Sequence, residues 1–547
     1  MRNIYKALIP MVLAIGIVGG IFIGKYVADI QLSPEEQKLR TILGLIREQY
    51  VDEIDIDSLM EKSIPDILAS LDPHSAYIPK SELTMTNNEL ESSFGGVGVS
   101  FQVINDTVTV VEVVSEGPAE KVGMLAGDQI LSADGKSLTG SEITTEDVFS
   151  TLRGKEGTKV RLKVKRRSSR KPLEFVVTRG EIPSKSVDVT YMTGKDTGYI
   201  RVSKFARNTY NEFLEALADL KFKGAKKYVV DLRGNSGGFM DQAIYMANEF
   251  LPAGRMIVYT KGRRPENETM AVSDGNGQFQ NAELVVLTNE FSASASEIFA
   301  GAIQDNDRGL VIGRRTFGKG LVQNQTMLPD SSAIRLTVAR YFTPSGRSIQ
   351  KEYKRGKDGK YEMDIVDRYS HGEFYSQDSI KLDKSKEFIT EGGRKVYGGG
   401  GIMPDVFVPE DTTGYTSYYV EAMNHSHVLN FARSMADSYR PLMKEKTLDS
   451  MLRIIPRDDT LLNNFVQYAA ANGLPARWYY INQSRALLLN QIKAVLARDL
   501  VGFEAYIRVL NDNDPALHEA LDALKSGRSP VRIVPGKTIS KKTVSKK

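Results

Sequence analysis

The feature that most constrains the fold is an alternation of apolar and helical segments between residues 190 and 409. The apolar runs read YVVDL, LVVLT, GLVIG and AIRLTVARYF, and stretches with helical spacing separate them. This alternation is typical of an α/β domain, in which strands and helices pack in layers. At 547 residues the chain has room for about three or four domains of ordinary size.

The regions on either side of this segment have different patterns. Residues 29–91 are polar with apolar residues at helical spacing, which predicts short packed helices. Residues 92–182 contain VTVVEVV, QILSADG and VRLKVK, and in the last of these apolar and basic residues alternate as in a strand. From residue 412 to residue 547, apolar residues again recur every three or four positions and predict a helical extension with a basic, disordered tail. We therefore expect a multidomain α/β protein whose catalytic core spans residues 183–411.

Composition excludes several kinds of chemistry. The chain has no Cys and only five His, which rules out disulfides and cysteine nucleophiles and disfavours a His/Cys metal cluster. We expect neither a metal nor a cofactor. The net charge of +4 includes five lysines within the last 11 residues, so the rest of the chain has a charge of −1. A near-neutral body argues against a nucleic-acid partner.

The N-terminus predicts a membrane segment. Arg2 and Lys6 precede an uncharged stretch over residues 7–24, which as a helix is about 27 Å long and nearly matches a bilayer core of about 30 Å. We expect an uncleaved anchor in residues 1–28, because good cleavage-site residues are scarce. A cleaved signal peptide, ending near Gly20 or Ala28, is the alternative. So short an N-terminal tail normally stays cytoplasmic, which places the body on the outer side of the membrane.

The region of residues 92–182 contains a candidate peptide-binding loop. Gly96, Val97, Gly98 and Val99 precede a predicted strand, and their backbone N–H groups could receive a chain-terminal carboxylate. The segment SEGPAEKVGMLAGDQILSADGKSL follows, and this order resembles a PDZ domain. The alternative is that the glycines only form a tight turn. The basic run over residues 161–171 is read as a solvated hairpin, with a contact to lipid headgroups or glycans as the alternative.

Candidate catalytic residues follow the apolar segment LVVLT. Ser294 lies in EFSASASE, just before a helix-like stretch, so a helix N-terminus and the N–H of Ala295 could stabilise an oxyanion. The competing interpretation is structural, since Ser294 and Glu297 also have the spacing of a helix capping box.

A candidate general base lies in TFGKGLVQ. Lys319 stands between Gly318 and Gly320 and between two apolar runs, which predicts partial burial. Burial disfavours the ammonium form, and a neutral amine can act as a base. Gln323 follows at a spacing that puts both side chains on one face, so it could orient the amine. The alternative is an ordinary surface lysine. Without Cys or a nearby His, Ser294 and Lys319 form the available nucleophile–base pair.

A third segment, VVDLRGNSGG, runs from a strand into a glycine turn. The backbone N–H near Gly237 could complete the oxyanion hole with that of Ala295. These glycines could also hold a phosphate, but the segment has neither GxxxxGK[ST] nor GxGxxG spacing, so nucleotide binding is disfavoured.

Taken in order, these motifs resemble those of the carboxyl-terminal processing peptidases, also called tail-specific proteases. The resemblance covers about residues 39–409 and includes LDPHSAYI, the PDZ-like region, DLRGNSGG, SASASE, FGKGLVQ, YFTPSGRSIQ and GGGGIMPD. It implies a Ser–Lys–Gln catalytic group at Ser294, Lys319 and Gln323 and a ClpP/crotonase-like catalytic fold. It also implies a PDZ domain that binds tails and can gate the site. It leaves the helical region after residue 412 unexplained.

We therefore expect an envelope-anchored serine endopeptidase that cleaves polypeptides near their C-termini. Its expected partners are peptide substrates with free C-termini and the membrane, and an adaptor lipoprotein is a further candidate. Two alternatives remain at this point. The first is an inactive PDZ scaffold that binds C-terminal tails, and the second is a crotonase-type acyl-CoA enzyme.

Overall fold

A computed structural model describes residues 33–528 except 89, 92, 105, 115, 357 and 358. The chain divides into two compact units, one up to Leu71 and one from Asp72 onward. The predicted anchor in residues 7–24 and the basic tail lie outside the described residues. Within the described residues, no helix is long and apolar enough to cross a membrane.

The first unit contains two helices, α1 (Pro34–Gln49) and α2 (Ile56–Ala69). Helix α1 starts at a capping box, in which Glu36 N–H donates to Ser33 Oγ and Ser33 N–H donates to the Glu36 carboxylate. Helix α2 starts at Asp55, whose side chain accepts a hydrogen bond from Asp57 N–H.

The second unit begins with a strand where the sequence predicted only helices. The segment LDPHSAYI leads into β1 (Ala76–Ile78), followed by α3 (Lys80–Asn88). The Asp72 carboxylate accepts hydrogen bonds from His74 N–H and Ser75 N–H, both at 2.9 Å, and this turn directs the chain into β1. A three-residue strand has no recognisable alternation, so only its pairing with a later strand reveals it.

The β-rich domain is a small antiparallel sheet with its own core. Its strands occur in the order β3–β4–β5–β7–β8, with β6 beside β5, and β2 pairs separately with β9. The core includes Val108, Ile130, Leu162 and Val177, all fully buried. The elements are β2 (Ser93–Gly96), β3 (Val99–Ile104), β4 (Thr107–Val113), α4 (Pro118–Lys121), β5 (Gln129–Ala133), β6 (Lys136–Ser137), α5 (Thr145–Leu152), β7 (Lys159–Lys165), β8 (Leu173–Thr178) and β9 (Gly180–Pro183).

The α/β region, predicted from its apolar runs, contains the longest series of elements. They are β10 (Val187–Met192), β11 (Thr197–Val202), α6 (Thr209–Phe222), β12 (Lys227–Asp231), α7 (Met240–Asn248), β13 (Met256–Gly262), β14 (Met270–Val272), β15 (Glu283–Thr288), α8 (Ala295–Asp305), β16 (Leu310–Gly313), β17 (Leu321–Met327), β18 (Ala333–Phe342), α9 (Lys360–Ser370), β19 (Glu387–Ile389), β20 (Lys395–Tyr397) and β21 (Val406–Phe407).

Two sheets organise this region. The first has the order β10–β11–β12–β15–β16–β21, and every pair in it after β10 and β11 is parallel. Its central strands β12, β15 and β16 are mostly apolar because residues on both of their faces are buried in hydrophobic clusters. In the second sheet, β18 pairs with β1, β13 and β17, and β13 also pairs with β14. The carboxyl ends of β12 and β15 lead into the turns that carry the candidate site.

The C-terminal region is helical, as expected. It contains α10 (Ser417–Asn424), α11 (His427–Tyr439), α12 (Leu448–Ile454), α13 (Asp458–Ala471), α14 (Trp478–Gln483), α15 (Arg485–Leu500), α16 (Phe503–Asn511) and α17 (Pro515–Lys525). Residues of α10 to α16 form one hydrophobic core. Helix α17 instead packs on the parallel sheet, so the extension is not wholly separate from the catalytic core.

Candidate active site

Ser294 lies in a sharp turn between β15 and α8. It is the N-cap of α8, with φ 54° and ψ −113°, a backbone conformation that L-residues rarely adopt. Such conformations cost about 1–3 kcal/mol and occur often at functional sites. The capping interpretation correctly places Ser294 at a helix start, but a simple cap has extended backbone with negative φ. The strain favours a functional role for this residue.

Glu297 links the Ser294 turn to the loop that carries Lys319. One oxygen of its carboxylate, Oε2, accepts hydrogen bonds from Ser294 N–H at 2.9 Å and Lys319 N–H at 2.8 Å. The other oxygen accepts from Gly318 N–H and from the hydroxyl of Thr316. Burial raises the pKa of the Glu297 carboxyl, and these four donors oppose that rise. A single carboxylate therefore fixes both backbone segments of the candidate catalytic pair.

Lys319 and Gln323 are in direct contact. The Lys319 Nζ lies 3.2 Å from Gln323 Oε1, and Gln323 Nε2 donates a hydrogen bond to the carbonyl oxygen of His74. The Gln323 amide is therefore held on one side and presents its oxygen to the amine. Lys319 lies in the loop before β17, and Gln323 lies on that strand.

Burial and nearby charges make the Lys319 amine easier to deprotonate than an ordinary lysine. Burial, followed by the nearby charge of Arg335, lowers the pKa of Lys319 below its ordinary value, although Glu297 and Asp72 oppose this. Burial and the proximity of Lys319 lower the pKa of His74 to about 4, so His74 is uncharged at neutral pH. The His74 ring contacts the hydroxyl of Tyr361, with Nε2 at 2.6 Å from the oxygen.

Gly237 lies against the Ser294 turn. A Cβ at Gly237 would stand 2.7 Å from Ser294 Cβ and 3.0 Å from Ala295 N, so only glycine fits, and its φ of 104° also favours glycine. However, the Gly237 N–H already donates to Asn235 Oδ1 at 2.8 Å. Ala295 is the first residue of α8, and its N–H is one of those that a helix leaves without an internal partner.

One cavity joins these groups. It has a volume of about 720 Å³, and its lining includes Gly237, Ser294, Ala295, Lys319, Gln323 and Arg335. The structure thus brings together all the predicted catalytic and oxyanion residues. The predicted carboxylate-binding residues Gly96, Val97, Gly98 and Val99 are not among those that line it.

Comparisons with known proteins identify the family. Residues 196–359 match peptidase family S41, residues 95–177 match the PDZ domain, and residues 418–502 match DUF8443, a family of unknown function. The carboxy-terminal-processing protease of Bartonella bacilliformis is 39% identical over 314 residues, which cover 56% of this chain and 71% of that protein. The carboxy-terminal processing protease CtpB of Bacillus subtilis is 30% identical over 365 residues, which cover 66% of this chain and 75% of that protein.

The chain belongs to the carboxy-terminal processing proteases of peptidase family S41. The predicted family is confirmed, as are a serine-type peptidase and a PDZ domain. Among solved structures, a photosystem II D1 C-terminal processing protease is 29% identical. The match covers 57% of this chain and 84% of that one, with a TM-score of 0.33. Membership of a peptidase family favours proteolysis over both the inactive scaffold and the acyl-CoA enzyme.

The PDZ domain of this protease has the candidate loop beside an edge strand. Gly96 ends β2 and Val99 begins β3, and β3 is the outermost strand of its sheet. Gly98 has a φ of 80°, and Val97 is buried in the domain core. The ring of Phe101 on β3 lies 5.0 Å from that of Phe149 on α5, so these two elements pack together.

The candidate site contains three residues whose position the sequence did not predict. Glu297 was recognised only as a capping partner, although its spacing from Ser294 was the available signal. Tyr341 is buried, and its hydroxyl lies 3.1 Å from the Ser294 carbonyl oxygen and 2.7 Å from that of Lys319. Arg335 lies in a strand pattern that carries no sign of an active-site role. Strand pairing alone brings Tyr341 and Arg335 to the cavity.

Proposed function

We propose that this protease cleaves polypeptides near their C-termini with Ser294 as nucleophile, Lys319 as general base and Gln323 as the group that orients the base. The observation that carries the proposal is the 3.2 Å contact between Lys319 Nζ and Gln323 Oε1, in the cavity that Ser294 also lines. The lowered pKa of Lys319 supports the same assignment. Activity measurements on variants at Ser294 and Lys319 test these roles.

In the proposed mechanism, neutral Lys319 removes the proton from the Ser294 hydroxyl as the oxygen attacks the scissile carbonyl carbon. Lys319 then gives this proton to the leaving amine, and an acyl-enzyme remains. Water attacks the acyl-enzyme in the second half of the reaction, with Lys319 again acting as base. Gln323 is a neutral acceptor, so it orients the amine without stabilising the ammonium form as strongly as a carboxylate would.

We propose the Ala295 N–H as the first donor to the developing oxyanion, since it lies at the N-terminus of α8, where the helix dipole also favours negative charge. Gly237 is the second donor in this proposal, and its N–H must exchange Asn235 Oδ1 for the oxyanion.

Strand β17 pairs with β18 along one edge, and residues 321–325 of β17 line the cavity. An extended substrate can therefore add beside β17.

We propose that the PDZ domain receives the free C-terminus of the substrate at Gly96, Val97, Gly98 and Val99. A peptide would add beside β3, and its carboxylate would accept hydrogen bonds from the loop N–H groups. We expect a higher kcat/KM for a peptide with an apolar C-terminal residue and a free carboxylate than for its C-terminally amidated form. Equal kcat/KM values for this acid/amide pair would mean that the loop is only a turn.

We further propose that residues 7–24 anchor the protease in the cytoplasmic membrane, with its body in the envelope. The charge and length of the N-terminal segment support this topology. We expect protease added to spheroplasts to degrade the body while cytoplasmic markers survive, and alkaline carbonate to leave the protein in membranes. A mature N-terminus near Gly20 or Ala28 would show a soluble exported enzyme instead.

An adaptor lipoprotein belongs to the same proposal, and a pull-down with the Ser294→Ala protein is the way to capture one.

A further inference from the structure

The last described helix of the C-terminal extension is built onto the catalytic sheet. Apolar residues of α17, which are Ala516, Leu517, Ala520, Ala523 and Leu524, pack in one buried cluster with residues of β11, β12, β15 and β16. Helices α6, α7 and α8 contribute to the core on the other face of this sheet. Helix α17 therefore covers much of the second face of this sheet, together with Phe503 and Ile507 of α16, although the match to family S41 ends at residue 359.

Asp514, the N-cap of α17, forms an ion pair with Arg233 of the DLRGNSGG segment. Arg233 Nη1 lies 2.6 Å from Asp514 Oδ2, and the two side chains are only 22% and 19% exposed. The other guanidinium nitrogens of Arg233 bind the buried carboxylate of Asp231, with contacts from 2.6 to 3.1 Å. The guanidinium is thus fixed between a carboxylate at the end of β12 and one from the C-terminal extension.

The turn that follows Arg233 is hydrogen-bonded to the Ser294 turn at several points. Asn235 O accepts hydrogen bonds from Ala293 N–H at 3.0 Å and from the Ser296 hydroxyl at 2.9 Å. Asn235 Oδ1 accepts from the Gly237 N–H, and Gly237 packs against Ser294. Arg233 thus begins a turn whose hydrogen bonds and packing reach both the proposed oxyanion donor and the residues on either side of the nucleophile.

We propose that Asp514 is a positioning residue of the active site: through Arg233, the C-terminal helix α17 holds the Gly237 turn in register with Ser294. This gives the C-terminal extension a role in catalysis, and it rests on the proposed function of Ser294. It predicts that loss of the Asp514 charge slows the chemical step, because misplacement of an oxyanion donor weakens stabilisation of the transition state more than substrate binding.

The two oxygens of Asp514 have separate tasks, and this permits a sharp test. Oδ1 caps α17 by accepting from Leu517 N–H at 2.9 Å, while Oδ2 binds Arg233. Asp514→Asn keeps a favoured N-cap side chain but removes the charge. Asp514→Glu keeps the charge but replaces a favoured N-cap residue with a longer one. Asp522→Asn, an exposed position on the same helix, is the matched control for loss of one carboxylate.

The experiment measures kcat and KM of the full-length protein and these three variants with one peptide substrate, together with Tm and circular dichroism. If Asp514 positions the turn, Asp514→Asn lowers kcat about tenfold or more with KM changed less than twofold. Asp514→Glu then retains more activity than Asp514→Asn despite its poorer cap, and Asp522→Asn matches the parent.

Unchanged kcat in Asp514→Asn would overturn the inference. A lower kcat in Asp514→Glu than in Asp514→Asn would also overturn it, because activity would then depend on the quality of the helix cap and not on the charge. Failure of both Asp514 variants to fold would also overturn it, since the residue would then serve stability alone. A parallel Ser294→Ala arm separates the two proposals. If Ser294→Ala is inactive and Asp514→Asn is fully active, only the positioning role fails, whereas an active Ser294→Ala refutes the assignment of the nucleophile itself.

Discussion

Replacement of Ser294 by Ala is expected to lower peptide hydrolysis by a factor on the order of 10⁶, which is the scale seen when a serine nucleophile is removed from a protease. The change deletes one oxygen and keeps Cβ, so the strained backbone at φ 54° and the start of α8 remain as they are. The fold and the binding of C-terminal peptides should therefore be unaffected. The measurements are kcat/KM with a peptide substrate and circular dichroism on the same preparation.

Ser292→Ala and Ser296→Ala are the matched controls for this prediction. Both hydroxyls are buried and donate to backbone carbonyls, Ser292 to Leu232 at 2.8 Å and Ser296 to Asn235 at 2.9 Å. Loss of each hydrogen bond costs about 1 kcal/mol of stability but removes no reacting atom. If Ser294→Ala kept near-parental turnover while one of these variants was inactive, the nucleophile would be wrongly assigned.

Replacement of Lys319 by either Ala or Arg is also expected to abolish turnover. Alanine provides no base, and arginine stays protonated at any accessible pH. The backbone N–H of Lys319 donates to Glu297 in all these variants, so the loop should keep its position. Chelators should have no effect on the parent enzyme. Loss of activity with EDTA that zinc restores would reveal a metal site and contradict the proposed mechanism.

The pH dependence gives a second test of Lys319. Only the neutral amine is a base, so kcat should rise with pH through the pKa of Lys319, which burial and then Arg335 lower below the ordinary lysine value. Arg335→Gln removes one positive charge, raises the pKa of Lys319 and should move this rise to higher pH. Arg335→Lys retains the charge and is the control. A rise that stays in place in Arg335→Gln would mean that Lys319 is not the titrating base.

The local sequence was sufficient where a function depends on neighbouring residues along the chain. The apolar runs YVVDL, LVVLT and GLVIG predicted the central strands β12, β15 and β16 of the parallel sheet, because such strands are buried on both faces. The helix start at Ser294 could be predicted because a strand, a short polar segment and a helical segment follow one another along the chain. Lys319 and Gln323 were visible because their spacing is only four residues.

Other features depend on contacts between distant parts of the chain. The His74 carbonyl oxygen accepts a hydrogen bond from Gln323, and the Tyr341 hydroxyl donates to the carbonyl oxygens of Ser294 and Lys319. Asp514 pairs with Arg233, which is 281 positions earlier in the chain. The hydrogen bond from Gly237 N–H to Asn235 Oδ1 could not be predicted from the sequence either, since it depends on where the Asn235 side chain lies. The sequence by itself thus determined the family, the α/β core and the candidate nucleophile and base. Only the tertiary structure decided how they are held, because hydrogen bonds and ion pairs act over a few ångströms in space and leave no periodic pattern along the chain.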